Sequence, residues 1–247
     1  MTRVYLVVLF LFAFSSLTFA QGDDMRTLRH AETAHTWIGL RGGVSISSES
    51  IDPALDASTS SITAFQGGLQ IDEWFNDMLA ISVAATMDKK GIKESYPDHS
   101  LQHSTVKGDD SYSASYLELP IVLRAAFGKG DARPYIFAGP SIGLLMSAEE
   151  TVSDPSIQPS ATDIKSAMNS TDFSLFFGGG FLDKLSEHVA FSVDVGYAMG
   201  LTKLYKDALP DRTTIDNPTS RNTVSLINNS DAKSGDFRAA ASFLFGF

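Results

Sequence analysis

Beyond residue 35, apolar and polar positions along this chain alternate with a period of two, as in strands that turn one face to grease and the other to something polar. From Val189 onward, Val189, Phe191, Val193, Val195, Tyr197, Met199 and Leu201 share one face, while Ala190, Ser192, Asp194, Gly196, Ala198, Gly200 and Thr202 share the other. The last segment sets Phe237, Ala239, Ala241, Phe243, Phe245 and Phe247 against Arg238, Ala240, Ser242, Leu244 and Gly246. Segments 36–46, 62–72, 78–88, 113–127, 133–147 and 171–182 alternate less cleanly and bring the prediction to eight strands. They hold about 45% of the chain beyond residue 20, about twice the usual share of strand. No segment of helical period is long enough to cross between parallel strands, which leaves an antiparallel meander.

Connection lengths add the next step. Glu73–Asp77, Gly128–Ala132 and Asp183–Glu187 are short connections; those near 47–61, 89–112, 148–170 and 203–235 are long and rich in Ser, Asp, Asn and Pro. In an up-and-down meander, alternation of long and short puts all long loops at one end, with the short turns and both termini at the other. The predicted fold is therefore all-β: an eight-stranded antiparallel up-and-down transmembrane β-barrel with short periplasmic turns and four long extracellular loops. A soluble secreted barrel is the competing reading. Against it, the polar face carries Arg41, Glu118, Arg124, Asp194 and Arg238, which a dry core would hold only at high cost, and the opposite face is apolar over whole strands. Aromatics gather near strand ends as interfacial girdles would. Trp74, Phe75, Phe127, Phe181 and Phe247 lie at the turn end, and Tyr112, Phe173, Tyr197 and Phe237 lie toward the other.

The N-terminus reads as an export signal. Arg3 precedes the apolar run Val4–Phe14, and Ser15 to Ala20 supply small residues before Gln21-Gly22-Asp23-Asp24; cleavage is expected after Ala20. The apolar core is too short to span a bilayer as a helix. The expected organisation is a signal peptide at 1–20, a periplasmic tail at 21–34, and an outer-membrane barrel at 35–247. In the tail, Met25, Leu28 and Ala31 are spaced like one weak helical face, but a flexible tail is the preferred reading.

Composition narrows the function. Of 247 residues, 43% are hydrophobic and 19% charged, which excludes disorder. Lysine and arginine number 19 against 29 acidic residues, a formal charge of −10, and that excludes the basic footprint of a nucleic-acid binder. The absence of cysteine removes disulfides, thiolate metal sites and cysteine nucleophiles.

Three runs, Tyr116–Arg124 (YLELPIVLR), Arg133–Gly143 (RPYIFAGPSIG) and Phe243–Phe247 (FLFGF), resemble the PorT-like outer-membrane β-barrel family of the Bacteroidetes and their relatives. The likeness extends over most of residues 35–247. It implies insertion by the barrel-assembly machinery, with the aromatic terminal strand as signal, and for PorT itself a part in protein secretion and gliding. Most members of that family have no assigned activity, so the resemblance implies location more than function.

Candidate chemistry is sparse. Gly139-Pro140-Ser141-Ile142-Gly143 matches the G-x-S-x-G nucleophile elbow, with Asp183 and His188 following in hydrolase order. The elbow needs a strand-to-helix turn, however, and here the alternation runs straight through; a bend or bulge explains Pro140 better. Asp98, His99, His103, Asp109 and Asp110 could supply metal ligands, but a solvated polar loop is the preferred reading. No cofactor is expected. Gly178-Gly179-Gly180 inside a strand is read as room for lumen side chains, and Asn169-Ser170-Thr171 and Asn228-Asn229-Ser230 as chance matches to a glycosylation pattern.

The lumen charges are the most informative set. Arg41, Glu118 and Asp194 are expected near mid-depth, Arg124 nearer the periplasm and Arg238 nearer the outside, with Arg41 bridging Glu118 and Asp194 in a closed polar plug. Glu118 and Arg124, six residues apart on one strand, are too far apart to pair. A narrow gated pore is the functional competitor. The expectation is a non-enzymatic integral outer-membrane barrel that serves the envelope or joins a secretion or surface complex through its long loops. Its expected partners are outer-membrane lipid, the barrel-assembly machinery and an envelope protein, with no nucleic acid among them. The alternatives are a small outer-membrane enzyme acting on lipid or peptide, for which His99 with Asp98 is the one nominated pair, and a low-conductance channel.

Overall fold

The structure, a computed structural model, describes residues 35–50, 58–97, 107–153, 160–206 and 232–247. The expected signal peptide and tail lie outside the described residues. Among those described, the elements are β1 (Thr36–Ser50), β2 (Ser58–Trp74), β3 (Leu79–Pro97), β4 (Lys107–Ala126), β5 (Ala132–Ser153), β6 (Ser160–Asp163), β7 (Thr171–Ser186), β8 (Val189–Gly200) and β9 (Lys233–Gly246), with one 3-10 turn at Lys165–Ala167.

Every pairing is antiparallel, and the ladder runs β4-β3-β2-β1-β9-β8-β7-β5 before β4 pairs with β5 and closes the circle. The result is the predicted eight-stranded up-and-down barrel. First and last strands meet at the seam, Trp37 opposite Gly246, and the Phe247 amide donates to the Thr36 carbonyl at 2.9 Å. Among the described residues, closure leaves no long unpaired edge, which a spanning structure in hydrocarbon requires.

Two of the three short connections, Phe75–Met78 and Glu187–His188, are shorter than expected, while the β4–β5 turn keeps its length. At Phe75–Met78 the Asn76 Oδ1 accepts from the amides of Met78 and Leu79, at 2.8 and 2.9 Å, an Asx turn. The β4–β5 turn uses Gly128 and Gly130 at φ of 89° and 118°, values that side-chain-bearing residues rarely adopt. Between β7 and β8 only Glu187 and His188 remain.

Sequence and structure part at the other end. The strands run past the segments marked by alternation: β3 continues to Pro97, β4 begins at Lys107 and β5 reaches Ser153. Period-two hydrophobicity reports lipid on one face, so it fades where lipid ends, whereas backbone pairing continues. The short strand β6, within a span read as loop, pairs with β5 from Glu149 to Val152. Asp109 and Asp110, read as loop residues, stand on β4 opposite Ser95 and Glu94.

Inside and outside follow the predicted parity. Phe65 is 88% exposed and Val193 43%, while Asp194 is 4% exposed and Glu118 is fully buried. The bulge expected around Pro140 lies elsewhere. Pro140 faces outward opposite Leu175, while the β4–β5 register slips between Ser115 opposite Ser147 and Tyr116 opposite Leu145, so Met146 is the extra residue. Glycines on the inner face of β7 and β8 admit rings from β5. A Cβ on Gly180 would stand 2.7 Å from the Tyr135 ring, and one on Gly196 would stand 2.9 Å from that of Phe137.

Candidate functional site

The lumen is filled in layers. Nearest the turns, Trp37, Trp74, Tyr135, Phe137, Phe176 and Leu244 form part of one apolar cluster. Toward the loops, Ile92, Tyr112, Tyr116, Met168, Leu204 and Tyr205 form part of a second. Between and among these lie two groups of charges.

The group nearer the turns centres on a bidentate pair. The two terminal nitrogens of Arg41 donate to the Asp194 carboxylate at 2.6 and 2.7 Å, and one of them also reaches Gln70 Oε1 at 3.1 Å. The Gln70 amide donates to both oxygens of Asp72, which also accepts from Arg124 at 2.7 Å. Tyr135 donates to Asp194 at 3.1 Å, and the Arg124 guanidinium lies 4.8 Å from the Tyr135 ring centre. Two cations meet two carboxylates, so this layer is neutral.

The group nearer the loops is not neutral. Lys90 sits 2.7 Å from Glu118, 2.6 Å from Asp172 and 3.4 Å from Asp236. Arg238 lies 3.2 Å from Asp236, 3.3 Å from Asp88 and 3.6 Å from Glu118. Hydroxyls complete the shell: Ser45 donates to Asp88, Ser141 to Glu118, and Thr202 and Ser234 to Asp172. Four carboxylates thus face two cations. Such charges persist in a poorly solvated interior only when they are paired and hydrogen-bonded.

These contacts redraw the expected bridge. Arg41 binds Asp194, but Glu118 is held by Lys90 and Arg238. Arg124 belongs with Asp72, in the other group from Glu118. Lys90, Asp88, Asp72, Asp172, Asp236 and Gln70 were missed. Each falls on the inward parity of its strand: Gln70, Asp72, Asp88 and Asp172 lie within the alternating segments, and extending the alternation by one or two residues reaches Lys90 and Asp236. Lys90 was hidden because residues 89–112 read as loop.

Of the aromatics read as interfacial, Phe75, Phe127, Phe181, Tyr197, Phe237 and Phe247 face outward. Trp74 does not. It is buried in the lumen with the Arg133 guanidinium 5.5 Å from its ring centre, because its position on β2 shares the inward parity of Gln70 and Asp72. Tyr112 is likewise buried inside.

A plug segment closes the loop end. Leu204 and Tyr205, after β8, turn into the lumen; Met168 bridges to Tyr205, and the Asn169 side-chain amide donates to the carbonyls of Lys203 and Tyr205 at 2.9 and 3.2 Å. The Tyr205 hydroxyl donates to Glu49 at 3.2 Å. Burial, followed by the Glu49 charge, pushes the Tyr205 phenol well above its ordinary range. Two cavities lined by lumen residues measure about 10 and about 20 Å³, room for about one water each.

The family whose model is described as outer membrane protein beta-barrel domain matches residues 19–206. The chain belongs to that family. The barrel is thus an outer-membrane barrel, with its long loops at the extracellular end by the general rule for such proteins. Among solved structures, it is similar to Ail of Yersinia pestis, in complex with the heparin analogue sucrose octasulfate, at 15% identity over 85% of this chain and 99% of that one, with a TM-score of 0.37. It is similar to OprG from Pseudomonas aeruginosa at 15% identity over 87% and 97%, with a TM-score of 0.41. It is also similar to the outer membrane protease OmpT from Escherichia coli at 11% over 90% and 99%, with a TM-score of 0.34. No curated protein sequence matches the chain. Likenesses this distant say nothing of activity, which must come from the residues themselves.

The residues offer little to an acyl-transfer mechanism. Ser141 is fully buried and donates to Glu118 at 2.9 Å. On β7, Ser174 is its neighbour, while His188 lies beyond Ser186 at the far turn, about 40 Å along the strand. Asp98, His99 and His103 lie outside the described residues.

Proposed function

We propose that this protein is a plugged, non-enzymatic outer-membrane barrel that anchors an extracellular surface and serves the envelope, or a secretion or surface complex, through its loop end. The observation that carries this reading is the filled lumen: two apolar clusters and two ion-paired groups occupy the space a channel would need. An eight-stranded cylinder has an interior just wide enough for its own side chains. The finer parts of the reading rest on the sequence. The aromatic end of β9 suits recognition by the barrel-assembly machinery, residues 1–20 suit an export signal cut after Ala20, and the YLELP and PYIFAGP strands favour the PorT-like branch, with its link to secretion.

The test uses the full chain expressed in its own cell envelope. Shortening a long loop, such as residues 207–231, is expected to leave the heat-modifiable folded form intact and to abolish co-purification of a partner. In planar bilayers the purified barrel should show no stable conductance. A steady water-sized conductance that grows in Glu118→Ala would replace this reading with that of a gated channel. Peptide cleavage or lipid modification lost in His99→Ala would replace it with that of an enzyme.

A further inference from the structure

The loop-side charged group in the lumen is short of positive charge. Asp88, Glu118, Asp172 and Asp236 face Lys90 and Arg238, and none of the six is more than 3% exposed. Two negative charges thus lack a counter-charge in a space where water does not screen them. The group stands where the greasy outer face is ending, since Met87 and Lys89 flank Asp88 on β3 and both are exposed. Around Asp88, β4 brings Glu118 and the Tyr116 phenol, β7 brings Asp172, β9 brings Asp236 and Arg238, and β3 itself brings Lys90. At this height β1, β2 and β5 bring the neutral Ser45, Gln66 and Ser141, with Glu49 and Glu150 nearer the loops. The ionisable lumen residue of β8, Asp194, is held by Arg41 in the neutral layer.

The four carboxylates are not equally served. Glu118 lies 2.7 Å from Lys90 and accepts from Ser141, with Arg238 at 3.6 Å. Asp172 lies 2.6 Å from Lys90 and accepts from Thr202 and Ser234. Asp236 has both cations within 3.4 Å, both on its Oδ2. Asp88 meets one cation only among the described residues. Arg238 Nε stands 3.3 Å from its Oδ2 without making a hydrogen bond, while Ser45 and the Lys89 amide both donate to Oδ1. Among the described residues, Asp88 Oδ2 and Asp236 Oδ1 are thus buried carboxylate oxygens with no donor. A buried acceptor in that condition is costly. A proton on Asp88 Oδ2 removes one surplus charge and turns the orphaned acceptor into a donor.

We infer that Asp88 carries a proton at neutral pH and that this proton latches the loop end of the lumen. The O–H bond is kept when the carboxyl is buried on folding and breaks, its proton leaving to water, as pH rises; the group then passes from one surplus negative charge to two. The new charge falls beside Arg238 and Asp236, which join β9 to β3 and β4. Through Lys90, Asp172 and Thr202 the same group holds the end of β8, from which Leu204 and Tyr205 turn into the lumen. A carboxyl that keeps its proton only in the folded state contributes stability that is complete below the ordinary carboxylate range and is lost progressively as pH rises through the folded value. The inference rests on the filled lumen of the proposed function and is independent of any partner.

The test is infrared spectroscopy of the full-length barrel in phosphatidylcholine vesicles, with heat-modifiable migration to verify folding. At pH 7 the wild type should show the carbonyl stretch of one protonated carboxyl, shifted in D2O and bleached at alkaline pH. Labelling the aspartate carboxyls with carbon-13 should move the band, which separates Asp88 from Glu118 without any substitution. Asp88→Asn, which keeps the shape and removes the titration, should lack the band, while Glu187→Gln at the opposite end should keep it. Unfolding in urea at pH 7, followed with a pH indicator, should release one proton more from the wild type than from Asp88→Asn. No such band in the folded wild type, a band untouched by aspartate labelling, or its persistence in Asp88→Asn would overturn the inference. So would a band that appears only after sodium and divalent ions are removed, since a metal ion would then be neutralising the group. A folded, non-conducting barrel without the band would overturn the latch and leave the plugged-barrel reading standing.

Discussion

Lys90 is one of two side chains on which the outer charged group turns: it touches Glu118, Asp172 and Asp236, as Arg238 touches Asp88, Glu118 and Asp236. Replacing Lys90 by methionine keeps the stem and removes the charge, leaving its three carboxylates under-compensated. Breaking a buried ionic group in this way typically costs about 3–5 kcal/mol, to be read as a shift in the urea midpoint of the barrel in lipid vesicles. Arg41 and Asp194 make a cleaner pair. Either Arg41→Leu or Asp194→Leu should destabilise strongly, and the double variant should recover part of the loss because neither charge is then stranded. Tyr205 supplies a pH signature. Its phenol is held above the ordinary value near 10, so its contribution is complete below about pH 10 and falls as pH rises through the folded value. The unfolding temperature should drop above pH 10 in the wild type, and less so in Tyr205→Phe.

At the scale of the strand, what counts is phase. Met146 is the extra residue of a bulge, with Leu145 and Ala148 both facing inward on either side of it. Deleting it keeps that phase and should leave the folded gel form intact. Deleting Val193 shifts one part of β8 by a residue relative to the other and turns polar side chains toward lipid, and the folded form should disappear. The same reasoning explains which parts of the site were legible. Arg41, Glu118, Arg124, Asp194 and Arg238 all stand inside segments where greasy neighbours reveal the phase, and all point into the lumen. Lys90 stands where that contrast has faded, just past segment 78–88, so its backbone pairing with Ala114 on β4 is what identifies it as a lumen residue. Trp74 was misread because aromatic character near a strand end suits the interface as well as the lumen; its inward phase decides for the lumen.

For the whole molecule, the arrangement is that of a soluble protein turned inside out, with ions and hydroxyls within and Leu40, Phe65, Leu69, Val195 and Phe243 without. Spin labels would report this directly. In vesicles, a label at Val193 should be quenched by oxygen and not by an aqueous nickel chelate, while a label at Lys129 in the β4–β5 turn should show the reverse. A detergent-free preparation that stays dispersed as a compact monomer is incompatible with so large an exposed apolar belt.

The amino-acid order by itself determined the number of barrel strands, the end at which the chain turns tightly, and which face of each barrel strand meets lipid. Those properties are local, set by whether residue i resembles i+2, and a bilayer on one side imposes that contrast over the full membrane depth. Only the closed tertiary structure decided which charges are partners. Arg41 and Asp194 lie 153 residues apart, and which cation faces which carboxylate across the lumen depends on the register around all eight staves and on the bulges that set it. The plug at the loop end belongs to the same class: Met168, Leu204 and Tyr205 come from segments that no periodicity marks, brought together because the barrel closes.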